Sequence, residues 1–243
     1  MGIHASYIYT VQLFFNPNIT DDFVLDKDES RHLIRVLRKT LGDTVDFTDG
    51  KGGHYVCEIT DASDKRARIR VQEIEKYAPR KARFHLAIAP TKNMDRLEWC
   101  VEKAVEIGVE TITPIITANS ERRKLRLDRL ERIAVSAMKQ SLKFYIADIQ
   151  EVVSFSEFLE SIKCEHKFIA HKSAEFSGMP LVNRKTTGDV VVLIGPEGDF
   201  SPSELEAAIA AGFECVTLGS SRLRTETAGV VAATQVDQLI ENY

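Results

Sequence analysis

From residue 84 onward the chain repeats one rhythm, a short β-branched run followed by a longer stretch with helical spacing. FHLAIAP precedes MDRLEWCVEKAVEIG, and TITPIIT precedes LDRLERIAVSAMKQS; HKFIAH, DVVVLIGP and CVTLG are further short runs with helices between and after. Such alternation leaves few architectures, because strands joined through helices lie parallel and a parallel sheet needs both faces covered. In MDRLEWCVEKAVEIG, Leu97, Val101, Ala104 and Val105 share a face, and Gly108 stands where the helix should stop. Trp99, in mid-helix, reads as core. The expected second domain spans residues 84–243.

The earlier residues follow another rule. VQLFF, DTVDFTD, HYVCEIT and ARIRVQEI alternate apolar and polar residues, with a hairpin turn at DGKGG, Asp49–Gly53. Only SRHLIRVLRK interrupts as a helix. A small β-barrel with an inserted helix is expected over residues 11–76, with the polar, proline-containing KYAPRKAR as linker. The opening MGIHASYIYTVQLFF is too mixed and too poor in basic residues for a secretory signal, and reads as a tag remnant or start-site extension.

Several function classes fall away. No run approaches the roughly 18 uncharged apolar residues of a membrane span, so no membrane partner is expected. Cys57, Cys100, Cys164 and Cys215 form no CxxC pair and sit in apolar runs, and the six histidines make no HExxH. Reduced thiols, a cytoplasmic location and no metal are the expectation. The net charge of −4 disfavours nucleic acid in bulk, yet residues 1–83 carry 14 Lys/Arg against 13 Asp/Glu, with the basic residues gathered in short stretches. One positive face is enough to bind RNA. As a regular helix, SRHLIRVLRK would put Arg31, Arg35, Arg38 and Lys39 in one arc beside His32, opposite Leu33, Ile34, Val36 and Leu37. That stripe is either a phosphate-tracking surface or a solvated face.

Two loops carry the chemistry. In LIGPEGDFSPSELEAAIAAGF, Leu193–Phe213, a strand enters a glycine-containing turn and a helix follows, as in nucleotide-binding loops. Here Ser201, Pro202 and Glu204 form a capping box with proline at the first helical position, so the helix's own side chains use its free N–H groups. Acid at 197, 199 and 204 would repel a polyphosphate, and neither GxGxxG nor GK[ST] is present. A neutral or cationic ligand is indicated, approached by backbone at Gly195 and Gly198. S-adenosylmethionine, a phosphate-free adenosine with a sulfonium, fits; a plain tight turn with surface acids is the alternative. In LGSSRLRTETAG, Leu218–Gly229, Arg222, Arg224 and Glu226 crowd between a strand and an apolar helix read from Gly229 to Asn242. Such crowding is costly unless the charges pair or meet a ligand. Ligands in open parallel sheets bind at the carboxyl ends of strands, so strands ending at Ile194 and Leu218 can wall one pocket.

GPEGDFSPSE followed by LGSSRLRTETA, with HLIRVLRKTLGD, KNMDRLEW, EKAVEIGV and MKQS upstream, resembles the SPOUT methyltransferases from Gln12 onward. The resemblance is to the RsmE-type enzymes, which methylate N3 of a uridine in 16S ribosomal RNA of the small subunit. It implies an α/β chain: an N-terminal PUA-like β-barrel that binds RNA, plus a C-terminal SPOUT parallel-sheet domain. There the chain is trefoil-knotted, S-adenosylmethionine lies bent among the knot loops, and the enzyme is a homodimer with active sites near the interface. Three departures stand out: Asp199 replaces a second glycine of GPEGGF, Ser221 and Arg222 replace an arginine and an aliphatic residue, and Lys139-Gln140-Ser141 with Lys143 replaces EQS and a later arginine.

The roles implied for this sequence follow from that resemblance. Arg224 would stabilise charge developing on the uracil, and Glu226 would orient Arg224 or take the N3 proton; a structural Arg224–Glu226 ion pair is the alternative. Arg222 is a candidate substitute for the missing guanidinium. Backbone at Ile194, Gly195, Leu218 and Gly219 would hold the cofactor, with Leu223 and Ala228 against adenine and Glu197 near the cationic end. Pro196, Gly198, Arg224 and Thr227 complete the cofactor set; His171 either reaches the pocket or is an ordinary satisfied histidine. Arg31, Arg35, Arg38, Lys39 and Lys92 would contact RNA, with Arg122–Arg126 as a further candidate. Two other functions remain open: SPOUT methylation of a ribose 2′-hydroxyl, and a non-catalytic RNA-binding assembly factor.

Overall fold

The computed structural model describes residues 12–171 and 178–241; the N-terminal stretch through Val11, where the barrel was expected to begin, and the last two residues lie outside these. Contacts divide the chain into two compact units, Met1–Pro79 with Met138–Ile146, and Arg80–Ala137 with Ala147–Tyr243.

The first unit runs β1 (Leu13–Phe15), β2 (Asp22–Val24), α1 (Lys27–Arg31), β3 (Thr44–Thr48), β4 (Gly53–Asp61) and β5 (Arg68–Lys76). Its sheet has the order β1-β3-β4-β5-β2, antiparallel except for the β1–β3 pair. Alternation along the strands gathers Val45, Phe47, Cys57, Ile59 and Ile69 into one buried cluster with Phe14, Leu25 and Leu33. The β3–β4 hairpin turns where DGKGG requires it: Gly50 and Gly52 adopt φ 71° and 93°, and Asp49 Oδ1 accepts the N–H groups of Lys51 and Gly53 at 2.8 and 3.0 Å.

The helical segment departs from expectation. α1 is capped by Asp26, whose Oδ1 accepts the Glu29 N–H at 2.8 Å. From His32 to Val36 the winding widens to a π turn, closed by Leu37 N–H donating to His32 O at 3.0 Å, and Arg38 leaves it at φ 57°. A wheel of uniform pitch therefore does not apply. Arg38 and Lys39 lie beyond the helix, and Val36, placed on the packed side by the wheel, is 66% exposed. Ser30 Oγ, which donates to Leu25 O and accepts from Ala67 N–H, anchors the segment together with buried Leu33.

Residues 138–146 complete this unit. Phe144 O accepts from Gly52 N–H at 2.8 Å and Thr48 Oγ1 at 3.2 Å, and Ile146 N–H donates to Gly50 O at 3.0 Å. Phe144 stacks on both His54 and Tyr77, with ring centroids 4.8 and 4.6 Å away. Lys139 Nζ pairs with Glu29 at 2.8 Å.

The second unit runs β6 (Phe84–Ile88), α2 (Met94–Ile107), β7 (Thr111–Ile116), α3 (Leu127–Gln140, its last turn in the first unit), β8 (Asp148–Ile149), β9 (Val153–Ser154), α4 (Phe155–Ser161), β10 (His166–Ala170), β11 (Met179–Pro180), β12 (Val190–Ile194), α5 (Pro202–Ala210), β13 (Glu214–Thr217) and α6 (Thr225–Glu241). Its sheet is parallel throughout, in the order β11-β13-β10-β12-β6-β7-β8, with β9 pairing β7. All five residues of β12 are buried, as a strand covered on both faces should be. α2 stops at Gly108, φ 133°, and buries Leu97, Cys100, Val101, Ala104 and Val105; Trp99, expected in the core, is 43% exposed. α6 begins four residues earlier than expected, so Thr225–Ala228 form its first turn. Gly229 lets α6 approach α2: a Cβ there would lie 2.6 Å from Cys100 Sγ. Among the described residues no helix is long and apolar enough to cross a membrane.

Candidate active site

The C-terminal ends of β10, β12 and β13 open into a cleft of about 660 Å³. One wall is the turn Gly195–Asp199, the other the segment from Leu218 to the first turn of α6. The two expected loops thus meet, and Thr225 Oγ1 ties them by donating to Gly195 O at 3.1 Å. Ile194, Val216, Leu218, Leu223 and Ala228 give the cleft an apolar body; Glu197, Asp199 and Arg222 bring charge to it.

The turn is fixed from several sides. Ser201 Oγ accepts the Glu204 N–H at 3.2 Å and Glu204 Oε2 accepts the Ser201 N–H at 2.8 Å, so the capping box closes the start of α5. Glu204 Oε1 also accepts from Ala118 N–H, at 2.7 Å. Asn119 Nδ2 donates to the carbonyls of Gly198 and Asp199 at 3.0 and 2.9 Å. Gly195 and Gly198 serve packing within the protein: a Cβ at either would lie 3.1 Å from Phe200 or Asn119. Glu197 Oε1 accepts the Lys92 N–H at 3.1 Å, which draws the start of the α2 region to the turn.

An RNA methyltransferase domain family matches residues 78–237, two thirds of the chain and the whole of this site. The chain belongs to the RNA methyltransferase family. An RNA methyltransferase PUA domain family matches residues 25–72. A crystal structure of a probable rRNA-methyltransferase from Porphyromonas gingivalis is 42% identical, with a TM-score of 0.89 over 96% of this chain and all of that one. A ribosomal RNA small subunit methyltransferase E from Neisseria gonorrhoeae, bound to S-adenosyl methionine, is 29% identical, with a TM-score of 0.84 over 95% and 98% of the two chains. The protein of the same name from Buchnera aphidicola subsp. Acyrthosiphon pisum is 29% identical over 93% of each chain.

In this methyltransferase His171, Ile194, Gly195, Pro196, Glu197, Leu218, Leu223 and Ala228 line the cleft, whereas Gly198, Gly219, Arg224 and Thr227 do not. Asp199, Ser221, Arg222 and Thr225 line it as well. In the sequence Asp199 was noted as loop acid and as a departure from the family pattern, and Ser221 only as a departure. Arg224 and Glu226 are not a pair. Glu226 is buried on the first turn of α6, with Oε1 3.7 Å from Arg96 Nε of α2, while Arg224 is exposed just before the helix. Residues two apart at a helix start face different ways, so the alternative of a local ion pair is not formed. Arg96 had no sequence signal beyond its position on α2. Glu226 and burial together push the nearby Cys100 thiol up to about 12, burial being the larger cause.

Of the basic residues, Arg35 is held by Asp64, with Nε 2.8 Å from Oδ2, and Lys39 Nζ donates to Thr44 O at 3.1 Å. Arg31 and Arg38 are exposed. Lys92 Nζ lies 2.9 Å from Glu121, which raises the Lys92 pKa. Arg122 donates to Lys92 O through Nη2 at 2.9 Å. Lys92, Glu121, Arg122, Arg123 and Lys124 line a shallow, mostly basic hollow of about 350 Å³.

Proposed function

We propose that this chain uses S-adenosylmethionine to methylate N3 of a uridine in 16S ribosomal RNA of the small subunit. The observation that carries the reading is the cleft at the ends of β10, β12 and β13, closed by two loops bonded to each other. Its volume suits a small-molecule ligand. Its chemistry suits an adenosine without phosphates, because the α5 N-terminus is closed by its own capping box and Glu197 and Asp199 lie in the wall. The name and bound cofactor of the Neisseria gonorrhoeae neighbour support the same assignment.

When bound, the cofactor supplies an electrophilic methyl group. The chain's part is to hold, orient and stabilise. Backbone at Ile194, Gly195, Pro196 and Leu218 would grip the nucleoside, with Leu223 and Ala228 against the adenine and Gly219 shaping the loop that follows Leu218. Glu197 and His171 serve the polar end, and Gly198 and Thr227 support the loops. Uridine N3 carries a proton at neutral pH and lies on the pairing edge, so the base must be unpaired or turned out to react. Arg224 stabilises the negative charge that spreads onto O2 and O4 as that proton leaves. Glu226, buried against Arg96, fixes the start of α6 and so the direction in which Arg224 projects.

RNA is gripped by Arg31, Arg35, Arg38 and Lys39 of the PUA-like first unit and by Lys92 with Arg122–Arg126 of the second. A trefoil knot in the C-terminal segment, a homodimer and a cytoplasmic location belong to the same reading. The test is to incubate the protein with S-adenosylmethionine and either 16S ribosomal RNA or small subunits, and to map the product by nucleoside mass analysis. N3-methyluridine at one position is expected. A ribose methyl, or no transfer to either substrate, overturns the reading.

A further inference from the structure

One side chain in the cleft wall is not demanded by the turn that carries it. Asp199 adopts φ 61°, the left-handed region that glycine enters freely and most side chains avoid. Glycine would enter this region without steric cost, so the backbone would be served as well without the carboxylate. The carboxylate is nonetheless held. Oδ1 accepts the Phe200 N–H at 2.8 Å and lies close over Gly195 at the end of β12. Oδ2 sits 3.0 Å from Nδ1 of His171, a ring only 8% exposed, while the Asp199 side chain itself is 48% exposed. Both residues line the cleft. The loop backbone thus fixes a carboxylate that lies against a buried imidazole and still faces the ligand space.

We propose that Asp199 is a specificity-determining residue that favours the cationic methyl donor over the uncharged thioether left after transfer. The inference rests on the proposed function. When the methyl group moves, the methyl–sulfur bond breaks, its electron pair stays on sulfur, and the positive charge there is lost; the N3 proton passes to solvent. The adenosine and amino-acid portions are the same before and after. A fixed anion in the wall therefore acts on the one feature that changes. Charge in a partly enclosed cleft is felt more strongly than in open water. The wall's other charged residues, Glu197 and Arg222, are of opposite sign and are both exposed.

Calorimetry of the full chain with S-adenosylmethionine and with S-adenosylhomocysteine tests this, using Asp199→Asn and Asp199→Gly. Both replacements tolerate a positive φ, so the loop survives in each. The ratio of thioether Kd to donor Kd should fall by about fivefold or more in both variants, with the thioether Kd itself unchanged within about twofold. An unchanged ratio overturns the inference, as does equal weakening of both ligands, which would mean that Asp199 only shapes the loop. A wild-type protein that binds neither compound fails at the earlier step and overturns the functional reading itself.

Discussion

Arg224 and Glu226 stand two positions apart in a run of mixed charge, yet one is exposed and the other is buried against Arg96. Arg224→Ala should cut methyl transfer by about 100-fold or more, the scale of a lost charge-stabilising donor. Donor affinity by calorimetry and the Tm should stay close to wild type; retained transfer would remove Arg224 from its role. Thr225→Val removes the hydroxyl that joins the two loops through Gly195 O. The change should cost about 1 kcal/mol in urea unfolding and weaken donor binding, because the walls of the cleft lose their cross-tie. Equal donor affinity in the variant would show that the tie is dispensable. The meeting of these loops was legible, since both follow the carboxyl ends of strands in one parallel sheet. The partner of Glu226 was not, because Arg96 lies 130 residues away in sequence and local spacing carries no signal across that distance.

Capping chemistry is local, and so α5 could be read directly: serine, proline and glutamate at fixed offsets each satisfy a named backbone group. Ser201→Ala should cost about 1 kcal/mol and lower the Tm by roughly 2–4 °C, with a further effect on the Gly195–Asp199 turn that precedes it. α2 was equally legible from its apolar spacing and its glycine stop. The π turn after α1 was not, because the residue pattern fits an ordinary helix. The packing of α6 on α2 depends on Gly229, whose missing side chain leaves room for Cys100. Gly229→Val should destabilise by about 1–3 kcal/mol through overpacking, read as a lower urea midpoint with an unchanged m-value.

The whole molecule should weaken on mild acidification, in part through one ring. Burial lowers the His85 pKa from 6.5 to about 4, and its Nε2 lies 2.7 Å from Thr113 Oγ1. The fold keeps this imidazole neutral, so as the pH falls below 6.5 the unfolded chain takes up the proton first. The contribution is full above pH 6.5 and is lost progressively toward pH 4, by at most about 3 kcal/mol. Comparing His85→Gln with wild type by urea unfolding across that window should show the variant's stability falling less; parallel curves would exclude His85 as a source. The first unit also holds Met138–Ile146, a membership that no linker composition at 76–83 announced. The sheet order was likewise hidden, since alternation fixes parallel strands but not which strand lies beside which.

That order has a consequence for how the protein comes into being. β10 has β12 and β13 as its neighbours, and β6 has β12 and β7, so the strand joining the two halves of the sheet is made after both β6 and β10. Until residues 190–194 leave the ribosome, β10 has no mate and β6 offers a bare edge, a state open to aggregation and to chaperones. A nascent chain halted before Val190 should therefore be readily cut by protease across residues 84–170, and should gain resistance only once the missing central strand can slot in.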